Sequence, residues 1–96
     1  MIRHTVQFKL KHEPGSPPER DFLAAALALT TVPGVTRFEQ SRQVSGKNPY
    51  AFNFSMEFAD QAAYEGYNNH PVHVSFVRDR WVPEVEDFLE ADFIPL

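Results

Sequence analysis

Pro71 falls inside a run, Tyr64 to Pro83, whose apolar spacing is otherwise helical: Y-E-G-Y-N-N-H-P-V-H-V-S-F-V-R-D-R-W-V-P. A proline ring disfavours the α conformation at the residue before it, here His70, yet suits the first position of a new helix. The run therefore reads as two helices, one stopping near Asn69 and the next starting at Pro71. Phe76, Val77 and Trp81 follow His73 at three, four and eight residues, the spacing of a single helical face. An imidazole sharing that stripe with apolar groups should point inward. Tyr67 lies three residues after Tyr64 and four after Ala63, on the inward face of the preceding helix. A phenol and an imidazole are expected to converge across the break.

Ahead of this run the periodicity changes. Ile2, His4, Val6, Phe8 and Leu10 alternate with Arg3, Thr5, Gln7 and Lys9, a strand with one apolar face that includes His4. S-P-P-E from Ser16 supplies an N-cap, a proline at the first helical position and a glutamate placed to close a capping box. Phe22, Leu23, Ala26, Leu27 and Leu29 form the buried stripe expected of that helix, and Val32-Pro33-Gly34 ends it. Val35 to Val44 is more polar, with Phe38 the only large apolar group in its middle, as suits an edge strand or one whose faces are both partly wet. After the turn S-G-K-N-P, Phe52, Phe54, Met56 and Phe58 alternate with Asn53, Ser55 and Glu57, a central strand. Asp60 is placed to cap the helix running to Asn69, and a last strand is expected from about Val85 to Ile94.

The order strand, helix, strand, strand, helix pair, strand predicts an α+β, ferredoxin-like split βαβ plan: a four-stranded antiparallel sheet with helices on one face. The first and third strands are neighbours in that plan. Residues 1–96 are enough for one domain with a modest core. The chain has no cysteine, which removes disulfides and thiolate chemistry, and its net charge of −4 argues against a phosphate-binding surface. No nucleic acid or membrane partner is expected, since no run is long enough to span a bilayer and the opening M-I-R-H-T-V-Q-F-K-L alternates polar with apolar. The expected location is the cytoplasm.

Tyr67, His70, Pro71, His73, Phe76, Trp81, Pro83 and Asp92 make up the pattern Y-x-x-H-P-x-H, a phenylalanine, W-x-P and a late aspartate. This pattern resembles the stress-responsive dimeric α/β-barrel (Dabb) family, and the resemblance covers essentially the whole chain. It implies a homodimer in which two such sheets face each other, with the polar rows of Arg3, Thr5, Gln7, Lys9, Asn53, Ser55 and Glu57 lining or closing a shared interior. A plant member of the family, a polyketide cyclase, performs an aldol-type ring closure, and by that resemblance His73 is the base and Tyr67 the partner of the carbonyl. His4 matches a pocket histidine of that cyclase. Phe52 stands where the cyclase has another histidine, and Asn68 and Asn69 replace apolar residues.

His73 lies in the first turn of its helix, where the positive helix end and apolar neighbours both disfavour the imidazolium, so it is expected to be neutral at neutral pH. A neutral imidazole beside a phenol is suited to taking a proton from carbon next to a carbonyl. The expected pocket is framed by His4, Phe52, Phe54, Phe76, Val77, Trp81 and Asp92. Plainer roles stand beside these. His73 could satisfy a backbone carbonyl or Asp92 and lock the helix onto the sheet, Tyr67 could be a core aromatic, and His4 a half-buried strand residue. Capping explains His70. The helix break between His70 and His73 spoils a shared metal-binding face, and neither metal nor cofactor is expected. Three functions follow: a binding or stress-related barrel holding a small apolar or phenolic ligand; an enzyme of proton transfer or ring closure; and, as in haem-degrading relatives of the wider barrel group, a haem-linked oxygenase.

Overall fold

The computed structural model describes residues 1–96. The first alternating segment forms β1 (Ile2–Leu10), burying His4, Val6, Phe8 and Leu10 on one face. Helix α1 (Pro17–Ala25) starts at Ser16, whose Oγ accepts from the Glu19 amide at 3.4 Å. The box closes one residue early, since the Glu19 carboxylate accepts from the Gly15 amide at 3.0 Å. After Ala25 the helix tightens into a 3₁₀ turn, Ala26–Thr31. Its three-residue period puts Ala26, Leu29 and Val32 on one buried line. Leu27, expected in the stripe, falls off that line and is 50% exposed.

Strand β2 (Thr36–Arg42) lies at the sheet edge beside β3 (Phe52–Phe58), in the order β2-β3-β1 and then β4 (Val85–Phe93). All pairings are antiparallel, and the whole is α+β and ferredoxin-like. Thr36 pairs with Glu57 and Glu39 with Ser55, so β2 carries one extra residue. Arg37 accommodates it at a φ of 51°. A second register shift lies between β1 and β4: Lys9 faces Asp87 but Leu10 faces Val85. It explains the imperfect alternation of β4, because beyond it Phe88, Glu90 and Asp92 follow the row of Phe8, Val6 and His4.

Asp60 caps α2 (Gln61–Asn69) by accepting from the Ala63 amide at 2.8 Å. The chain breaks at His70 (φ −70°, ψ 138°), whose Nδ1 accepts from the Val72 amide at 3.1 Å and opens α3 (Pro71–Phe76). This helix does not run unchanged to Pro83. Residues Val77–Trp81 form a wider π turn, with the Val82 amide reaching Val77 O, before α4 (Val82–Glu84). Pro83 has no amide proton for the carbonyl four residues back and its ring would crowd it, which disfavours a regular α turn there. Glu84 ties this end to β1, its carboxylate meeting His12 Nε2 at 2.7 Å and its carbonyl accepting from the Lys11 amide at 2.9 Å.

The helices cover one sheet face. Phe8, Phe22, Phe54, Phe58 and Met56 are the largest fully buried side chains between them. Burying one such group stabilises by about 1.5–3 kcal/mol, whereas an exposed ion pair such as Arg78 with Asp79 is screened by water and adds little. The aromatic layer, then, holds the fold. Truncating Phe54 to Ala, in edge contact with Phe8 at 4.6 Å between centroids, should cost about 3–5 kcal/mol. No helix is long and apolar enough to cross a membrane.

Candidate functional site

The break at His70 leaves the last carbonyls of α2 without helical donors. One of them is taken by a side chain from the next helix: His73 Nδ1 donates to Asn68 O at 3.1 Å. Since a carbonyl only accepts, the proton sits on Nδ1 and Nε2 is left as an acceptor. The plain and the chemical roles of His73 therefore coexist, one on each nitrogen. Tyr67, one residue before Asn68, packs beside it with ring centroids 4.3 Å apart. Tyr64 and Tyr67 both lie against Phe58, the former stacked at 5.0 Å. The Tyr67 hydroxyl has no hydrogen-bond partner in the protein, yet no buried side-chain oxygen or nitrogen is left unpartnered. Its oxygen therefore opens onto free space.

That space is a cavity of about 370 Å³ between the sheet and α2, α3 and the π turn. His73, Tyr67 and His4 all line it, together with Phe54, Phe76, Val77 and Trp81. The π turn widens the helix where Val77 and Trp81 face this space. Exposed Asn68, Val82, Phe88 and Glu90 also line it and mark its mouth.

Two expected pocket residues lie elsewhere. Phe52 pairs with Phe8, whereas His4 pairs with Met56, so Phe52 sits about 13 Å further along β3 at 3.3 Å per residue. It borders a separate cleft with Leu23 and Gln40, beneath the Arg42 guanidinium at 5.0 Å. Asp92 does not line the cavity but stands behind it. Its Oδ1 accepts from His4 Nδ1 at 2.6 Å, and its Oδ2 accepts from the Tyr64 hydroxyl at 2.9 Å. The Tyr64 oxygen also lies 2.9 Å from His4 Nδ1. With Nδ1 so engaged, the buried His4 ring leaves Nε2 on the cavity side.

Burial pushes the His73 imidazole below its ordinary value of 6.5, with the Asn68 carbonyl pulling back, His4 adding to the lowering and Glu90 opposing it. Burial also raises the Tyr67 phenol well above the ordinary 10.0, with Glu90 reinforcing it. Tyr64 is raised by burial and then by its bond to Asp92. The site thus holds a neutral imidazole with a bare acceptor nitrogen and a phenol that keeps its proton.

Sequence reasoning missed Glu90, Phe88 and Tyr64 as parts of the site. The shift at the start of β4 hid the first two, because strict alternation puts them on the wrong face. The spacing of Tyr64 from Tyr67 marked it as inward-facing, but nothing local signals a partner on β4.

A family model for the stress responsive A/B barrel domain matches residues 2–95. A crystal structure of a Dabb family protein with a ferredoxin-like fold from Mesorhizobium loti is 64% identical, covering 99% of this chain and 96% of that one, with a TM-score of 0.98. A dimeric ferredoxin-like protein of unknown function from Thermobifida fusca is 18% identical over 98% of this chain and 90% of that one, with a TM-score of 0.79. The hydroxynitrile lyase of Passiflora edulis is 13% identical over 99% and 93%, with a TM-score of 0.85. At these low identities the last two show the fold alone. No curated protein matches the chain.

Proposed function

The chain belongs to the stress responsive A/B barrel (Dabb) family, and on that premise we propose that it is a one-domain homodimer whose cavity binds a small, mostly apolar carbonyl compound and moves a proton on it. The observation that carries the reading is the meeting of a bare imidazole nitrogen and an unpartnered phenol in one cavity. His73 Nε2 takes a proton from the carbon beside the carbonyl. As charge moves onto the carbonyl oxygen, the Tyr67 hydroxyl donates to it, and the proton returns from His73 to the product carbon or to water. Ring closure of the kind performed by polyketide cyclases starts with the same step. Phe54, Phe76 and Trp81 supply the apolar walls that exclude water and strengthen both interactions.

Pairing of two copies is supported by the uncovered sheet face, where Leu89 and Phe93 are 53% and 54% exposed among polar neighbours. The Thermobifida fusca protein, described as dimeric, has the same fold.

The deciding experiment needs no natural substrate. Acetophenone and benzoylacetone are incubated with the protein in deuterated buffer, and exchange at the carbon next to the carbonyl is followed by NMR. Faster exchange than in buffer, lost in His73→Ala, is the expected result. Probes that bind without any faster exchange would leave a binding barrel and remove the catalytic role.

A further inference from the structure

The charged groups that reach the cavity are all of one sign. Glu90 lines the mouth, exposed and without any hydrogen bond or ion pair, and no lysine or arginine lines the cavity anywhere. The basic side chains of β1 are engaged elsewhere: Arg3 with Glu57 at 2.9 Å and Lys9 with Glu86 at 3.9 Å. Behind the wall Asp92 is a second carboxylate, already committed to His4 and Tyr64. Glu90 sits opposite Val6, two pairs along from the pairing of His4 with Asp92 and next to it on the same sheet face, so a ligand reaching His4 passes it.

We infer that Glu90 is a specificity-determining residue that gives the cavity a negative threshold, so that it admits neutral or amine-bearing carbonyl compounds and rejects those carrying a carboxylate or phosphate. This rests on the reading of the cavity as a ligand site. A like charge held a few ångströms from a carboxylate beside apolar walls is screened far less than in open water, and discrimination of roughly tenfold or more against an anion is expected. The influence of Glu90 already reaches inward: burial dominates the proton affinities of Tyr67 and His73, and Glu90 adds an upward push on both. Rejection of the wrong ligand by an unpaired like charge is a recognised route to specificity.

The single tryptophan, Trp81, lines the cavity and reports its occupancy. Two probes of nearly equal shape are titrated against its fluorescence: neutral 4-formylbenzamide and anionic 4-formylbenzoate. The wild type should bind the amide at least about tenfold more tightly. Glu90→Gln should bring the ratio close to one, while Glu39→Gln, which removes a charge from the far edge strand, should leave it unchanged. Added salt should compress the wild-type ratio without any substitution. A wild-type ratio near one, or a ratio that survives Glu90→Gln, overturns the role of Glu90 and leaves the cavity reading standing. Quenching by neither probe overturns both.

Discussion

Asp92 on β4 accepts a hydrogen bond from His4 Nδ1 on β1 at 2.6 Å, across a register pair of the central sheet. The same carboxylate takes the Tyr64 hydroxyl from α2 at 2.9 Å, so one side chain joins two strands and a helix behind the cavity. A backbone carbonyl or Asp92 is the expected partner of His73, and Asp92 takes the histidine of the first strand. His73 is held by the Asn68 carbonyl instead.

Asp92→Asn keeps the size of the side chain but cannot hold the proton of His4 in the same way. With Asp92 partly exposed, a loss of about 1–2 kcal/mol of stability is expected in urea unfolding. The discriminating readout is the imidazole nitrogen spectrum by NMR. His4 should change its Nδ1 signal while His73 keeps its own. An unaltered His4 spectrum would mean that Asp92 does not fix the ring.

The two inward tyrosines should respond differently to loss of the hydroxyl. Tyr64→Phe removes a bond to Asp92 and a neighbour of His4, and should cost about 1 kcal/mol. Tyr67→Phe removes a hydroxyl with no protein partner and should leave stability within about 0.5 kcal/mol, while abolishing the proposed proton exchange. Equal destabilisation by both would show that Tyr67 is a structural phenol.

Folding lowers the proton affinity of His73 from its ordinary 6.5. The unfolded chain then binds more protons at this residue in the window just below 6.5. Its contribution is complete above that value and is lost as pH falls toward the lower folded pKa. Wild type should therefore lose stability relative to His73→Asn as pH falls through and below 6.5. The same titration should govern exchange activity, which requires the neutral ring and rises with pH through a midpoint below 6.5. A midpoint above that value would contradict a desolvated base.

Leu89 pairs with Gln7 and Phe93 with Arg3 on the sheet face that no helix covers. If two copies pair there, Leu89→Glu places a charge at their junction. Sedimentation should show a wild-type dimer at micromolar concentration and a monomer for the variant, with the circular dichroism of the fold retained. A wild-type monomer would end the barrel reading.

Much of this molecule is written in short-range pattern. The alternation of Val6, Phe8, Phe54 and Met56, the caps at Ser16 and Asp60 and the break at Pro71 are legible because sterics and hydrogen bonding act within a few residues. Those same rules bring His73 and Tyr67 together at the junction of the two helices. What local pattern did not reveal is how far-apart segments meet. The π turn before Pro83, the exposure of Leu27 and the shift that brings Glu90 to the cavity and Asp92 to His4 each depend on helical pitch or strand register. A one-residue change of register moves a side chain to the other face, and only contacts across the sheet select it. Periodicity thus determined which residues turn inward, and tertiary packing decided which of them found partners and which were left facing an open space.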